Sequence, residues 1–389
     1  MENYEEQLQL ACEKFKKVLE GQLKRVELMK AQGDFVDYAA LPCIRIGVCG
    51  GDGIGPTITA QARRVLEYIL ADLKAAGKVE FVNVDGLTIE NRIAHMQAIP
   101  DDVLAELKSC HIILKGPTTT PQKGDGMPNI ESANVAMRKA LDLFANIRPV
   151  KVPEQGINWT IFRENTEGGY AVGSQGFNVT EDLAVDFTIT TKQGSDRIAR
   201  LAYDYARKNG FNRVSLVTKA NVIKTTDGNF LEDCHKVGDL YPEIVTDEWY
   251  ADIMTAKLVD QKRRKEFQVL LLPNLYGDII SDEAAEFQGG VGTAGCANIG
   301  KKYAMFEAIH GSAPRMISEG RGDYADPCSM PRACVMLLSH IGLQERADKL
   351  ERALDICSFE EKKYVITGRD TGATCDEFGD YVMDTLKKL

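Results

Sequence analysis

From residue 44 onward, short runs rich in apolar and β-branched residues alternate with stretches of helical periodicity, and this alternation constrains the fold more than any other feature of the chain. Ile44–Cys49, Val79–Val84 and His111–Lys115 read as strands. Between the first two, Ile58–Leu73 carries Ile58, Ala62, Val65, Leu66, Ile69, Leu70 and Leu73 at helical spacing. Strand, helix, strand in that order builds a largely parallel sheet with helices packed on it. A second strand-rich region follows, with Trp159–Phe162, Ala184–Thr191, Val214–Val217 and Val269–Leu272 separated by helices such as Asp196–Lys208, and Ala333–Ile341 reads as a buried helix. The expected class is α/β, in two lobes that share one continuous core.

The first 40 residues precede this pattern. Tyr4, Leu8, Ala11, Phe15, Val18, Leu19, Leu23 and Val26 recur every three to four positions, which predicts one long amphipathic helix ending near Gly33. Its apolar face can pack on its own subunit or on another. Acids interleave the opening and no apolar h-region follows, so it reads as neither a secretion signal nor a transit peptide. No stretch approaches the roughly 20 apolar residues a membrane span needs. A net charge of -10 argues against nucleic acid or anionic membrane as a partner, since both call for a basic patch. Ten cysteines without CxxC spacing read as reduced cytosolic thiols rather than disulfides or a zinc site, which places the chain in the cytoplasm.

Several segments carry candidate chemistry. GVCGGDGIGP, residues 47 to 56, sets glycines between a strand and a helix and lets a ligand approach the backbone, but Pro56 stands where a Rossmann fingerprint needs its third glycine. ESANVAMRKALDLFANIRPVK places Ser132, Asn134 and Arg138 around a helix start, with Arg148 beyond and Arg163 further on in FRENTEGGY. Arginine forks match carboxylates, so three near one pocket suit a di- or tricarboxylate; the plainer reading makes Ser132 an N-cap and the arginines surface ion-pair partners. In LPNLYGDIISDEAAE, Asp278 and Asp282 fall on one face of a helix that begins near residue 278. Paired carboxylates suit Mg²⁺ or Mn²⁺, the alternative being an N-cap plus a solvated acid. Asp252 supplies a third carboxylate if the fold allows it. Lys219 and Asn221 lie at a strand end, where α/β proteins place ligands, and Lys219 and Tyr170 are candidates for proton transfer.

GGDGIGP, KGPTTTP, SANVAMRKALDLFANIRPVK, IFRENTEGGY, VTKANVIK, LPNLYGDIISD, GTAGCANIG, FEAIHGSAP and CDEFGD occur in series from about residue 44 to the C-terminus, and together they resemble the isocitrate and isopropylmalate dehydrogenase family of metal-dependent β-decarboxylating dehydrogenases. The resemblance implies a two-lobed α/β fold that is not Rossmann, with residues 41–145 and 290–389 forming a large cofactor domain. Residues 146–289 would form a small domain with a dimer-forming clasp, and residues 1–40 an added helical extension. It implies a homodimer in which Arg138, Arg148 and Arg163 hold substrate carboxylates and Tyr170 and Lys219 handle protons. Lys219 and Asn221 would reach into the neighbour's site, and Asp252 from the neighbour would join Asp278 and Asp282 around the metal.

Ser132 and Asn134 offer a hydroxyl and an amide where isopropylmalate enzymes of the family offer leucines, so the resemblance points to isocitrate and its oxidative decarboxylation to 2-oxoglutarate. Homoisocitrate, isopropylmalate or tartrate as substrate, and a non-catalytic regulatory subunit, are the alternatives. Thr118, Asn274, His310, Gly311, Ser312, Ala313, Arg315 and Asp326 are the implied cofactor residues. NAD-using members carry an acid soon after HGSAP, whereas Arg315 stands here and suits the 2′-phosphate of NADP; the tail TGRDTGATCDEFGD resembles the NAD type. NADP is favoured over NAD.

Overall fold

Each strand read from the alternation has a counterpart in the computed structural model, which describes residues 4–121, 124–172 and 175–389. Residues 1–3 of the expected helical extension lie outside the described residues. In chain order the strands are β1 (Ile44–Cys49), β2 (Val79–Asn83), β3 (Ile112–Lys115), β4 (Ala145–Val152), β5 (Ile157–Glu164), β6 (Phe177–Asn178), β7 (Ala184–Val185), β8 (Arg213–Thr218), β9 (Val245–Tyr250), β10 (Val269–Leu272), β11 (Gly295–Ile299) and β12 (Ala304–Ala308). The fold is mixed α/β with largely parallel pairing. The chain divides into two compact units, one made of residues up to Asp34 with Lys151–Ser281, the other of Phe35–Val150 with Asp282–Leu389.

In the Lys151–Ser281 unit the strand order is β5-β10-β8-β9, paired in parallel throughout. Every residue of β10 is buried, as a continuous Val-Leu-Leu-Leu run between parallel neighbours requires. Helix Lys192–Lys208 packs its Ile198, Ala199, Ala202, Tyr203 and Ala206 inward, and Thr191 caps it by accepting the Gly194 N–H at 3.0 Å. The predicted strand Ala184–Thr191 shrinks to Ala184–Val185, which pairs antiparallel with β6. The N-terminal helix, Glu5–Lys30, ends three residues before Gly33 and packs on this same unit, where Phe15 stacks on Phe187 with centroids 5.2 Å apart. Only Val18 and Met29 of the helix are buried, and Leu8, Leu19 and Leu23 of the predicted apolar stripe stay exposed.

In the Phe35–Val150 unit the order is β2-β1-β3-β12-β11-β4, with β11 antiparallel to both neighbours and the remaining pairs parallel. The glycine-rich turn after β1 serves close packing of protein on protein. Gly51 and Gly53 have φ of +74° and +59°, and a Cβ on them would fall 2.2 Å from the Pro117 carbonyl oxygen and 2.0 Å from that of Ser312. Buried Asp52 ties the turn down by accepting the N–H groups of Ile89 and Thr119, both at 2.7 Å. The predicted helix Ile58–Leu73 is Gly55–Ile69 with Pro56 in its first turn, broken at Leu70 before a short helix Ala71–Ala75. Helix Ser329–His340 is buried at Ala333, Cys334, Leu337 and Leu338, as predicted. Among the described residues no helix is long and apolar enough to cross a membrane.

Candidate active site

The Lys151–Ser281 unit gathers Arg163, Tyr170, Asn274 and Asp278. Arg163 is the penultimate residue of β5, is almost fully buried, and donates from Nε and Nη2 to Asn274 Oδ1 at 2.9 and 2.7 Å. Its Nη1 bonds Asp278, and its guanidinium lies 5.2 Å over the Tyr170 ring. Tyr170 donates its phenol proton to the other Asp278 oxygen at 2.8 Å. Helix Asn274–Glu286 begins four residues earlier than predicted, so Asp278 is an internal helical residue and not an N-cap. With Asp282 one turn later, the two carboxylates do share a helical face. Gly277 lets the helix approach, since a Cβ there would meet Arg163 Cβ and Cγ at 2.6 Å.

Lys219 and Asp252 form a second cluster in that unit. Lys219 Nζ is ion-paired with Asp252, and this bond holds the Asp252 carboxyl below the usual carboxylate range. The Lys219 backbone N–H donates to Asp227 Oδ2 at 2.7 Å, which fixes the lysine where β8 ends. Asn221 is exposed on the turn that follows. Among the described residues no three His, Cys, Asp or Glu side chains converge to hold a metal ion.

In the Phe35–Val150 unit, Arg138 and Arg148 are held by one buried polar network. Arg148 donates from Nε to Asn146 Oδ1 at 2.8 Å and from Nη1 to Asp282 Oδ1 at 2.8 Å. Asn146 donates to Asn298 Oδ1 at 2.9 Å, and Asn298 donates to Glu307 Oε1 at 2.8 Å. Glu307 also pairs with Lys115 Nζ at 3.1 Å and Arg138 Nη2 at 3.6 Å. Burial alone would raise the Glu307 pKa, but Lys115 and Arg138 outweigh it and hold the carboxyl below its ordinary value. Lys115 and Glu307 were not singled out from the sequence. The available signal was a lone charged residue in each of two otherwise apolar runs, IILK and AMFEA.

Ser132 occupies the N-cap position of helix Ala133–Ala140, yet its side chain makes no capping bond, against the plainer reading of that residue. Asn134 Oδ1 accepts from Thr118 Oγ1 at 3.2 Å. Of the expected cofactor residues, Ser312 Oγ shares a 2.7 Å hydrogen bond with Thr119 Oγ1, and His310 Nε2 lies 2.9 Å from Ser329 Oγ beside Gly311. Ala313 takes φ of +47° before helix Pro314–Ser318. Asp326 accepts the Cys328 N–H at 2.8 Å. Arg315 is 85% exposed and pairs with Glu319, which also holds Arg321. Asn274 stands apart from these in sequence and in unit, its amide engaged by Arg163 and by the Glu167 carbonyl.

Comparison with known proteins gives the family. The profile of the isocitrate/isopropylmalate dehydrogenase family matches residues 45–382. The chain belongs to this family. It is 38% identical over 316 residues to the NADP isocitrate dehydrogenase of Rickettsia bellii, covering 79% of this chain and 62% of that protein, so it spans less than two thirds of that relative's length. It is 33% identical over 362 residues to the homoisocitrate dehydrogenase of Methanocaldococcus jannaschii, covering 88% and 99%. The crystal structure of isocitrate dehydrogenase from Methylococcus capsulatus superposes with a TM-score of 0.77 at 33% identity, covering 88% of this chain and 99% of that one. The N-terminal helix Glu5–Lys30 lies ahead of the matched region.

Proposed function

We propose that the chain oxidises and decarboxylates isocitrate to 2-oxoglutarate with a nicotinamide cofactor and Mg²⁺ or Mn²⁺, as a cytoplasmic homodimer with shared active sites. The observation that carries the choice of substrate is Ser132, whose hydroxyl takes no part in capping the helix it begins and stands one residue from Ala133 and two from Asn134. An alkyl substituent would offer no acceptor to that hydroxyl or to the N–H side of the amide, at roughly 1–3 kcal/mol per group, whereas a carboxylate accepts from both. The full coverage of the Methanocaldococcus homoisocitrate dehydrogenase makes homoisocitrate the second reading. The ten free cysteines, eight of them buried, suit a reducing compartment.

In this reading Arg138, Arg148 and Arg163 clamp the substrate carboxylates. Asp278 and Asp282, one turn apart and offering only oxygen, fit Mg²⁺ or Mn²⁺, which binds through one or two carboxylates plus substrate, and Asp252 joins them from a second copy. A divalent ion there supplies acidity to the substrate hydroxyl and charge for the enolate, and the nicotinamide supplies the hydride acceptor. Lys219 of the neighbouring copy takes the hydroxyl proton, and Asn221 beside it binds substrate. Tyr170 gives its phenol proton to the carbon that loses carbon dioxide. Thr118, Asn274, His310, Gly311, Ser312, Ala313 and Asp326 hold the cofactor, and Arg315 favours NADP through its 2′-phosphate. Residues 41–145 and 290–389 act as the cofactor domain and 146–289 as the small domain.

The test is nicotinamide reduction at 340 nm by purified protein with Mg²⁺ or Mn²⁺, crossing isocitrate, homoisocitrate, isopropylmalate and tartrate with NADP and NAD. Isocitrate with NADP is expected to give the highest kcat/KM. No reduction with any pair overturns the enzymatic reading in favour of a regulatory subunit.

A further inference from the structure

Helix Glu5–Lys30 lies ahead of the family's matched region, yet one of its side chains reaches the loop between Arg163 and Tyr170. Arg25 Nη1 pairs with Glu167 Oε1 at 2.9 Å, and Nη2 donates to Thr166 Oγ1 at 3.0 Å. The Glu167 side chain is 4% exposed and that of Arg25 only 22%, so water does little to weaken the pair. All the groups involved lie in the Lys151–Ser281 unit.

The arginine has a real charge problem to answer there. Two carboxylates, Glu164 and Glu167, are buried three residues apart. Glu164 is served from within the loop, by the N–H groups of Thr166 and Glu167 and by Thr166 Oγ1. Glu167 accepts the N–H and hydroxyl of Thr191 at the start of helix Lys192–Lys208. Gly194 is what admits it, since a Cβ at that position would fall 2.3 Å from Glu167 Oε1. Arg197 Nη2 donates to the same Thr166 hydroxyl at 2.9 Å. Arg25 therefore joins Thr191 and Arg197 in holding the side chains of residues 164–167, and it comes from ahead of the family region.

From there the connection to the candidate site is short. The Glu167 carbonyl accepts from Asn274 Nδ2 at 3.0 Å, and the other end of that amide holds Arg163. Arg163 and Tyr170 both bond Asp278. We infer that Arg25 is a positioning residue: the N-terminal helix locks the Glu164–Tyr170 loop, and through it the Arg163 guanidinium and Tyr170 phenol, in their working arrangement. This deepens the function proposed above and rests on it for its catalytic consequence, while the loop-locking itself is independent of substrate.

The experiment uses full-length protein carrying Arg25→Ala or Arg25→Lys. Backbone hydrogen exchange is followed by mass spectrometry over residues 164–172, and kcat and KM are measured with isocitrate, NADP and Mg²⁺. Arg25→Ala is expected to speed exchange across Thr166–Gly169 about tenfold and to lower kcat about tenfold, because a hydrogen-bonded charge in a part-buried setting is lost. KM should stay within about twofold, since the substrate arginines remain. Arg25→Lys keeps the charge but cannot make both bonds, and should recover part of both effects. Unchanged exchange in Arg25→Ala overturns the inference. So does faster exchange with unchanged kcat, or a kcat loss accompanied by equal acceleration of exchange throughout the chain, which marks a merely structural role. If the wild-type protein reduces no nicotinamide, the proposed function fails, and the exchange measurement alone then decides whether Arg25 locks the loop.

Discussion

Asp278 accepts from a buried guanidinium and from a phenol at once, so its charge matters to two neighbours before any ligand is considered. Asp278→Asn keeps the shape and removes the charge. Under the proposed function, metal-dependent turnover should fall at least about a hundredfold. The circular dichroism spectrum should stay unchanged, and normal turnover would remove Asp278 from the metal site. Glu164 gives a pH test. Burial first, and the Glu167 charge second, raise its pKa from an ordinary 4.5 to about 7, against the pull of Arg197 and the Thr166 bonds. Between those values the folded state holds the proton that the unfolded state has lost, so this group's contribution to stability falls as pH rises through that window. Glu164→Gln does not titrate, and its melting temperature relative to wild type should rise from pH 5 to about pH 7 and level off above; a constant difference would contradict the shift. Such buried groups were hidden in the sequence for a physical reason. Lys115 and Glu307 are tolerated inside because each neutralises the other across 192 residues, and spacing along the chain carries no trace of a pairing that distant.

At the level of elements, strands whose residues are buried on both faces were the most legible. Val269–Leu272 and Ile44–Cys49 appear with the predicted bounds, because an unbroken apolar run flanked by turn residues has few other places to go. Alternation was less reliable. Val185, Phe187 and Ile189 do alternate, but a strand needs a hydrogen-bonded partner, and Ile189 instead accepts the Gly168 N–H from the start of the short helix Gly168–Val172. The N-terminal helix was legible as a helix and not in its docking, since Arg25 and Phe15 fasten it while several leucines of the stripe face outward. Helix Cys375–Lys388 opens on a full capping box, with Thr374 and Glu377 each accepting the other's backbone N–H. Thr374→Ala should therefore cost about 1 kcal/mol in denaturant unfolding, and no measurable loss would mean that tertiary packing alone holds the helix start.

For the molecule as a whole, the proposed exchange of Lys219 between copies can be tested by mixing. Lys219→Ala and Asp278→Asn homodimers should each be inactive. Unfolded together and refolded in equal amounts, half of the dimers are mixed, and each mixed dimer holds one site with both groups intact. Activity should return to about a quarter of wild type if the symmetry is closed and the site shared, and no recovery would place Lys219 in its own chain's site. The ion pairs set a further condition on how such a protein takes up its ligands. Asp282 is matched to Arg148 and Asp278 to Arg163 inside the resting chain, so neither sign of charge is left standing alone. Under the proposed function, a polyanion arriving by itself must pull a guanidinium from its acid, and a cation by itself must do the reverse. Under that function, the two taken up together trade partners and bring in far less net charge than either alone, and each should therefore tighten the other's grip by the same factor.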